Sequence, residues 1–190
     1  YSIIGTTGGA LYGYAYNIYS IFLSISTAGF PHAISKIISE YETMGLYKSK
    51  EKVFKIAKRL LSIIGIICFL ILITFAEPIA KLIIGDVQNG NSIGDISLVI
   101  RVISFSILIV PLLSVYRGYL QGHRIMAPTS VSQVLEQLIR VLIILIACFF
   151  LKNILKVRDI VVLALIGATL GAFISWFYLY LKVRKKRKED

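Results

Sequence analysis

Four polar side chains at helical spacing stand inside an otherwise apolar stretch of the chain. Gln133, Glu136, Gln137 and Arg140 lie at i, i+3, i+4 and i+7, so on a helix they form one polar stripe. A helix over 128–151 would carry Arg140 about 18 Å along its axis, near the middle of a hydrocarbon layer about 30 Å thick. A charge at that depth costs at least about 2.5–3.5 kcal/mol, so it is expected to face a protein interior or a watery cavity.

Two interpretations of Glu136 and Arg140 stay open at this point. Their i,i+4 spacing, with the acid first, favours an ion pair within the helix that locks it to a neighbour through Gln133 or Gln137. Alternatively, the carboxylate orients the guanidinium toward an anionic substrate in a cavity. The two are compatible, and both residues are predicted substrate-binding residues.

A second polar set, His32, Lys36 and Glu40, lies at i, i+4 and i+8 directly after Pro31. On a helix these side chains share one face. Lys36 and His32 are predicted to present positive charge to an anionic headgroup in a central cavity. The structural alternative is a lysine that extends to the membrane surface near its helix end. Pro31 is expected to kink this helix, and Gly29 and Pro31 are the predicted hinge.

The remaining charged residues within or near the apolar runs have mainly structural interpretations. Glu77 and Lys81 are expected to pair at i,i+4, and Arg101 is expected to extend toward the nearer membrane surface. A short cytoplasmic turn is predicted between two spans, with a gate or a headgroup contact as its less favoured role. The residues assigned to this turn are Arg117, Gln121 and Arg124.

Composition excludes an ordinary soluble domain. Of 190 residues, 57% are hydrophobic and 16% charged, and the mean hydropathy is +0.80. The net charge of +11 comes from basic clusters between apolar runs, a distribution that favours a membrane protein over a nucleic-acid-binding one. Cys68 and Cys148 lie inside apolar runs and have no disulfide or metal spacing.

No motif for covalent chemistry is present in the sequence. The chain has no zinc spacing, dinucleotide fingerprint or nucleophile elbow, and the GTTGG segment at 5–9 lacks the lysine of a phosphate-binding loop. We therefore expect no enzyme activity, no cofactor and no metal. No signal peptide is recognised, and the abrupt start suggests an internal piece of a longer protein.

The apolar runs predict an all-α polytopic membrane fragment with five spans, at about 12–41, 60–84, 96–116, 128–151 and 160–181. Residues 1–11 are predicted to be the end of an earlier helix followed by a turn. Residues 42–59 are expected to form a solvated, basic helical connector before the second span.

Basic residues are distributed unequally between the two sides that these spans define. Connector 42–59, connector 117–127 and the C-terminal tail carry six, two and six lysines or arginines, whereas the other two connectors carry none and three. Cytoplasmic segments of membrane proteins are enriched in lysine and arginine. Both connectors named and the tail are thus predicted to be cytoplasmic, where anionic lipids attract them; the 152–158 connector is the exception.

Three segments carry a family resemblance: GALYGYAYNIYSIFLSISTAGFPHAISKIISEY, EKVFKIAKRLL and YRGYLQGHRIMAPTSVSQVLEQLIRV. They resemble the polysaccharide biosynthesis and stage V sporulation protein B branch of the multidrug/oligosaccharidyl-lipid/polysaccharide flippase superfamily. That branch includes the Gram-positive MurJ-type lipid II flippases. The likeness covers nearly the whole chain.

The resemblance implies a bacterial cell-membrane transporter of about fourteen helices in two lobes. It would move an undecaprenyl-diphosphate-linked oligosaccharide such as lipid II outward by alternating access, for cell-wall or spore-cortex synthesis. This chain would supply the end of helix one and helices two to six of the N-terminal lobe. The resemblance also ranks Lys36 above Arg140 as a cavity residue, and a coupling ion is possible. A multidrug or cation exporter and a non-transporting sporulation scaffold are the alternatives.

Overall fold

The computed structural model describes residues 5–24, 29–84, 92–150 and 156–189. Regular secondary structure in these residues is helical. The helices are α1 Gly5–Ser24, α2 Phe30–Thr43, α3 Tyr47–Thr74, α4 Ala76–Ile84, α5 Ile93–Gly122, α6 Ala127–Phe150 and α7 Val157–Glu189. Within the described ranges, α3, α5, α6 and α7 are long and apolar enough to cross a membrane. The predicted all-α polytopic class is confirmed.

Helix α5 is the centre of the bundle. It is apolar on all sides, as expected of a helix surrounded by others, and it contacts each of the other six described helices. A capping box between Ser92 and Asp95 fixes its start, because each residue satisfies a backbone N–H of the other. The side chains of Ile96, Ile100 and Ile103 are fully buried in the core that α5 forms with its neighbours.

The first predicted span corresponds to α1 and α2. Residues 25–28 between them lie outside the described residues, so the extent of this span stays a prediction. Pro31 stands in the first turn of α2, a position that suits proline. The predicted kink involves residues before Gly29 that lie outside the described ones, so it stays a prediction. Gly29 is the N-cap of α2. The predicted turn within residues 5–11 is wrong, because α1 already starts at Gly5.

The predicted helical character of connector 42–59 is confirmed, whereas connector 117–127 is more helical than predicted. Most of 42–59 belongs to α3, which follows a short turn at Gly45, whose φ is +70°. Arg117 and Gln121, predicted in a turn, belong to α5; Arg124 alone of the three lies in the turn, with a φ of 59°.

Glycine packing explains why α5 continues past the predicted end of its span. A Cβ on Gly118 would lie 2.8 Å from the Ile34 Cβ, and one on Gly122 would lie 2.7 Å from the Ile38 Cγ2. Both glycines therefore allow α2 to approach the backbone of α5 closely.

Ion pairs show which helix ends lie together. At one end, which we call the basic end, the Lys50 ammonium donates to the Glu42 carboxylate at 2.6 Å and lies 3.0 Å from His123 Nε2. Arg187 Nε donates to Glu51 Oε1 at 2.9 Å. These contacts join the α2–α3 turn, the end of α5 and the end of α7.

At the opposite end, Arg158 approaches Asp95 and Asp159, each at 3.4 Å, which gives the exceptional basic connector two acidic neighbours. Arg101 is half-exposed, as predicted, and pairs with Glu77 at 3.3 Å. The predicted Glu77–Lys81 pair is thus replaced by a contact between α4 and α5, because the Arg101 side chain reaches Glu77 from the neighbouring helix.

Candidate functional site

A buried polar cluster joins α1, α5 and α6. Glu136 is only 3% exposed; the Tyr19 hydroxyl donates to its Oε1 at 2.8 Å and the Arg117 guanidinium donates to its Oε2 at 2.9 Å. Arg117 Nε also donates to Ser132 Oγ at 3.2 Å. Because both carboxylate oxygens are paired, burial of this charge is compensated. We call Tyr19, Arg117, Ser132 and Glu136 the polar cluster.

Helix α7 supports the polar cluster through small residues. Ser175 Oγ donates to the Ser132 carbonyl at 2.8 Å. Gly171 lies against the backbone of Glu136, where a Cβ would come within 2.7 Å of the carbonyl oxygen. Small residues let membrane helices approach and exchange hydrogen bonds, so α6 and α7 form one tightly packed pair.

The predicted ion pair between Glu136 and Arg140 is wrong. Glu136 faces α5 and pairs with Arg117, whereas Arg140 faces α1, with its guanidinium 5.5 Å from the centre of the Tyr16 ring. Arg140 donates one hydrogen bond to Gln137 Oε1. Its Nη1 is buried and has no hydrogen-bond partner among the described residues. The local i,i+4 preference is weak, and contacts with neighbouring helices override it.

A cavity of about 550 Å³ adjoins the polar cluster. Part of the predicted stripe reaches it, since Gln133, Glu136 and Gln137 line it together with Arg117. Arg140, which the sequence placed beside a cavity, instead packs over the Tyr16 ring. Tyr16 and Gln137 therefore contact the guanidinium, whereas its Nη1 has no hydrogen-bond partner among the described residues.

The other predicted substrate-binding residues lie on an exposed face of α2. His32, Lys36 and Glu40 are exposed, whereas Ile34 and Ile38 on the opposite face are buried against α5. The shared face is therefore confirmed. No side chain in the described ranges forms a hydrogen bond or ion pair with Lys36.

The four predicted substrate-binding residues are thus divided between two places. Glu136 and Arg140 are buried at the interfaces of α6, whereas His32 and Lys36 are exposed on α2. Their shared role in substrate binding, and the role of Gly29 and Pro31 as a hinge, stay predictions.

Sequence comparison now identifies the family. A family model described as "Polysaccharide biosynthesis protein" matches residues 2–189. The chain belongs to this family. None of the solved structures compared matches it.

The chain is similar to three proteins of Bacillus subtilis (strain 168). It is 38% identical to "Lipid II flippase MurJ" over 97% of this chain and 35% of that protein. It is 26% identical to "Stage V sporulation protein B" over 97% of this chain and 34% of that protein. It is 35% identical to "Uncharacterized membrane protein YabM" over 79% of this chain and 26% of that protein. The chain spans about a third or less of the length of these relatives. The predicted membership of the flippase superfamily is confirmed.

Sequence reasoning missed four contributors to the polar cluster and its support: Tyr19, Ser132, Gly171 and Ser175. One signal was available, because Gly167, Gly171 and Ser175 are spaced four residues apart, the pattern of close helix packing in membranes. Tyr19 carried none, since it stands among tyrosines that resemble an aromatic belt.

Proposed function

We propose that the full-length protein containing this chain is a flippase for an undecaprenyl-diphosphate-linked oligosaccharide, with lipid II as its substrate. The observation that carries the proposal is the similarity to a lipid II flippase along almost all of this chain. The segment would act in the bacterial cell membrane as part of the N-terminal lobe and would perform no covalent chemistry.

The exposed face of α2 is the part of this chain proposed to bind the substrate. A diphosphate needs cationic partners, and a lysine in a partly dehydrated cavity attracts it more strongly than one in bulk water. Lys36 and His32 lie one helical turn apart on this face. Gly118 and Gly122 fix the direction of the face, because they seat the opposite side of α2 on α5.

The polar cluster has a supporting role in this proposal. Its two charges are paired with each other and are almost completely buried, so they hold α1, α5 and α6 as one body. Alternating access then requires a flexible position elsewhere. Gly29 and Pro31, at the start of α2, are the proposed hinge.

Transport by a Lys36→Ala variant tests the substrate contact. The full-length protein, reconstituted in vesicles with labelled lipid II, should lose roughly tenfold or more of its transport rate, because one interaction with a charged group is worth about 1.5–3 kcal/mol. Lys36→Arg should keep most of it. Lys81→Ala, at an exposed lysine of α4, is the matched control and should transport normally. Equal rates for Lys36→Ala and the control would exclude Lys36 from substrate binding.

A non-transporting role in sporulation is the second candidate, favoured by the similarity to "Stage V sporulation protein B". A folded, reconstituted full-length protein that moves no lipid-linked sugar between leaflets would support it. The third alternative, a drug or cation exporter, requires an acidic cavity to bind a cation. Glu136 is already paired with Arg117, and Lys36 is positively charged, so neither residue favours this alternative.

A further inference from the structure

A basic groove separates α3 from α7 at the basic end of the bundle. Two hollows of about 680 and 220 Å³ lie between the helices, and a third of about 440 Å³ lies beside them on α3. They share residues: Lys55 borders the first and third, Lys58 the last two, and Arg184 the first two. The hollows are therefore neighbours, and together we call them the α3–α7 groove.

The floor of the groove is aromatic. Tyr116 and Phe54 line the innermost hollow with Tyr180. The Lys58 ammonium lies 5.7 Å from the centre of the Tyr116 ring, a cation–π contact that holds the lysine over the groove. Tyrosine is enriched where membrane meets water, so we expect this floor to lie near the lipid headgroups.

The groove has more positive charge than its own carboxylate can balance. Glu51, which borders it, is paired with Arg187. Within the described ranges, Lys55, Lys58 and Arg184 have no carboxylate in ion-pair contact. Three cations with no acidic partner around this groove form a site for an anion.

The apolar surface beside the groove indicates what kind of anion it takes. Ile63, which lines one hollow, is exposed, as are Ile66 and Ile67 farther along α3. On α7, Phe177 and Leu181 are exposed before the basic residues begin. An anion bound here would place its charged group among the basic residues and an attached apolar chain along these two helices.

We propose that the α3–α7 groove binds the phosphate headgroup of an anionic phospholipid from the surrounding leaflet. Basic pockets between membrane helices bind such headgroups. The site is distinct from the α2 face proposed for the transported substrate and does not depend on that proposal. Its lipid would fill the space between α3 and α7 and brace the basic end.

Native mass spectrometry of the full-length protein, titrated with phosphatidylglycerol, tests the proposal. Each basic residue near a membrane surface strengthens anionic-lipid binding about fivefold, so Lys58→Gln with Arg184→Gln should weaken it by roughly 25-fold. Lys58→Arg with Arg184→Lys should keep it. Phosphatidylcholine should bind weakly to all variants.

The matched control is Lys182→Gln with Lys185→Gln. It removes the same number of charges, both from the basic end of α7, at residues that do not border the groove, and it should leave phosphatidylglycerol binding within about twofold of the unmodified protein. An equal loss in both pairs would overturn the site in favour of general surface attraction. If the Lys58/Arg184 pair fails to fold, Lys55→Gln provides the same comparison at an exposed residue.

Two further probes identify the source of the phosphate. Inorganic phosphate at millimolar concentration should not displace phosphatidylglycerol, and displacement would overturn the lipid assignment in favour of a soluble anion. Undecaprenyl diphosphate should compete weakly. If it binds the groove more tightly than phosphatidylglycerol and the Lys58/Arg184 pair abolishes that binding, the groove belongs to the transported substrate instead.

Discussion

At the scale of single residues, the partner of Glu136 is the most informative finding. The sequence predicts a carboxylate and a guanidinium on α6, and both are present and buried. The sequence does not predict which groups pair, because i,i+4 spacing describes contacts within a single helix. In the structure the Glu136 carboxylate pairs with Arg117 of α5. The depth argument for Arg140 correctly predicts burial, but burial alone does not decide between a cavity wall and a helix interface.

Replacing one member of the buried pair should destabilise the protein far more than replacing both. Glu136→Leu leaves Arg117 buried without its carboxylate, at a cost of about 3–5 kcal/mol. Combining Arg117→Met and Glu136→Leu with Tyr19→Phe removes both charges and the hydroxyl that would otherwise lose its acceptor, and the free energy of unfolding should fall by less than about 1 kcal/mol. Unfolding of the full-length protein in mixed micelles measures the difference.

The control for this pair of measurements is Lys36→Met, which replaces an exposed, unpaired cation. It should change the free energy of unfolding by less than about 0.5 kcal/mol. Should Glu136→Leu prove as mild as Lys36→Met, the polar cluster would not hold α1, α5 and α6 together.

At the scale of helices, sequence reasoning works best where a helix begins and ends with its apolar run. The predicted span at 128–151 differs from α6, Ala127–Phe150, by a residue at its start. It works least well where a polar or glycine-containing segment continues a helix: α5 runs on through Gly118 and Gly122 because these glycines seat α2. Only the position of the neighbouring helix shows that such a glycine allows close helix packing and does not form a turn.

The α6–α7 interface should depend on the absence of a side chain at Gly171. In Gly171→Ala the new Cβ would stand 2.7 Å from the Glu136 carbonyl oxygen, so the helices must separate, at a cost of about 1–3 kcal/mol. Gly13→Ala is the matched control, because a Cβ there meets nothing within 4 Å; it should stabilise α1 by about 0.5–1 kcal/mol. Thermal unfolding of both full-length variants gives the comparison, and equal melting temperatures would show that α6 and α7 are not closely packed at Gly171.

At the scale of the whole molecule, three segments that are far apart in sequence share the basic end. The count of basic residues along the sequence groups the connectors 42–59 and 117–127 with the C-terminal tail. Lys50 near His123, and Glu51 with Arg187, place parts of all three segments together. Lysine and arginine enrichment assigns that end to the cytoplasm, which stays a prediction because no contact within the chain distinguishes the two sides of a membrane.

Cysteine labelling in intact cells tests that assignment. With Cys68 and Cys148 of the full-length protein changed to alanine, Lys48→Cys at the basic end should react with a membrane-impermeant maleimide only after lysis. Lys156→Cys, exposed at the opposite end, should react in intact cells, even though it belongs to the one basic connector predicted outside. The anionic inner leaflet attracts each basic residue near its surface by about 1 kcal/mol. The end with more basic residues is therefore expected to face the cytoplasm. The reverse labelling pattern would place the basic end outside, and the α3–α7 groove would then face the outer leaflet.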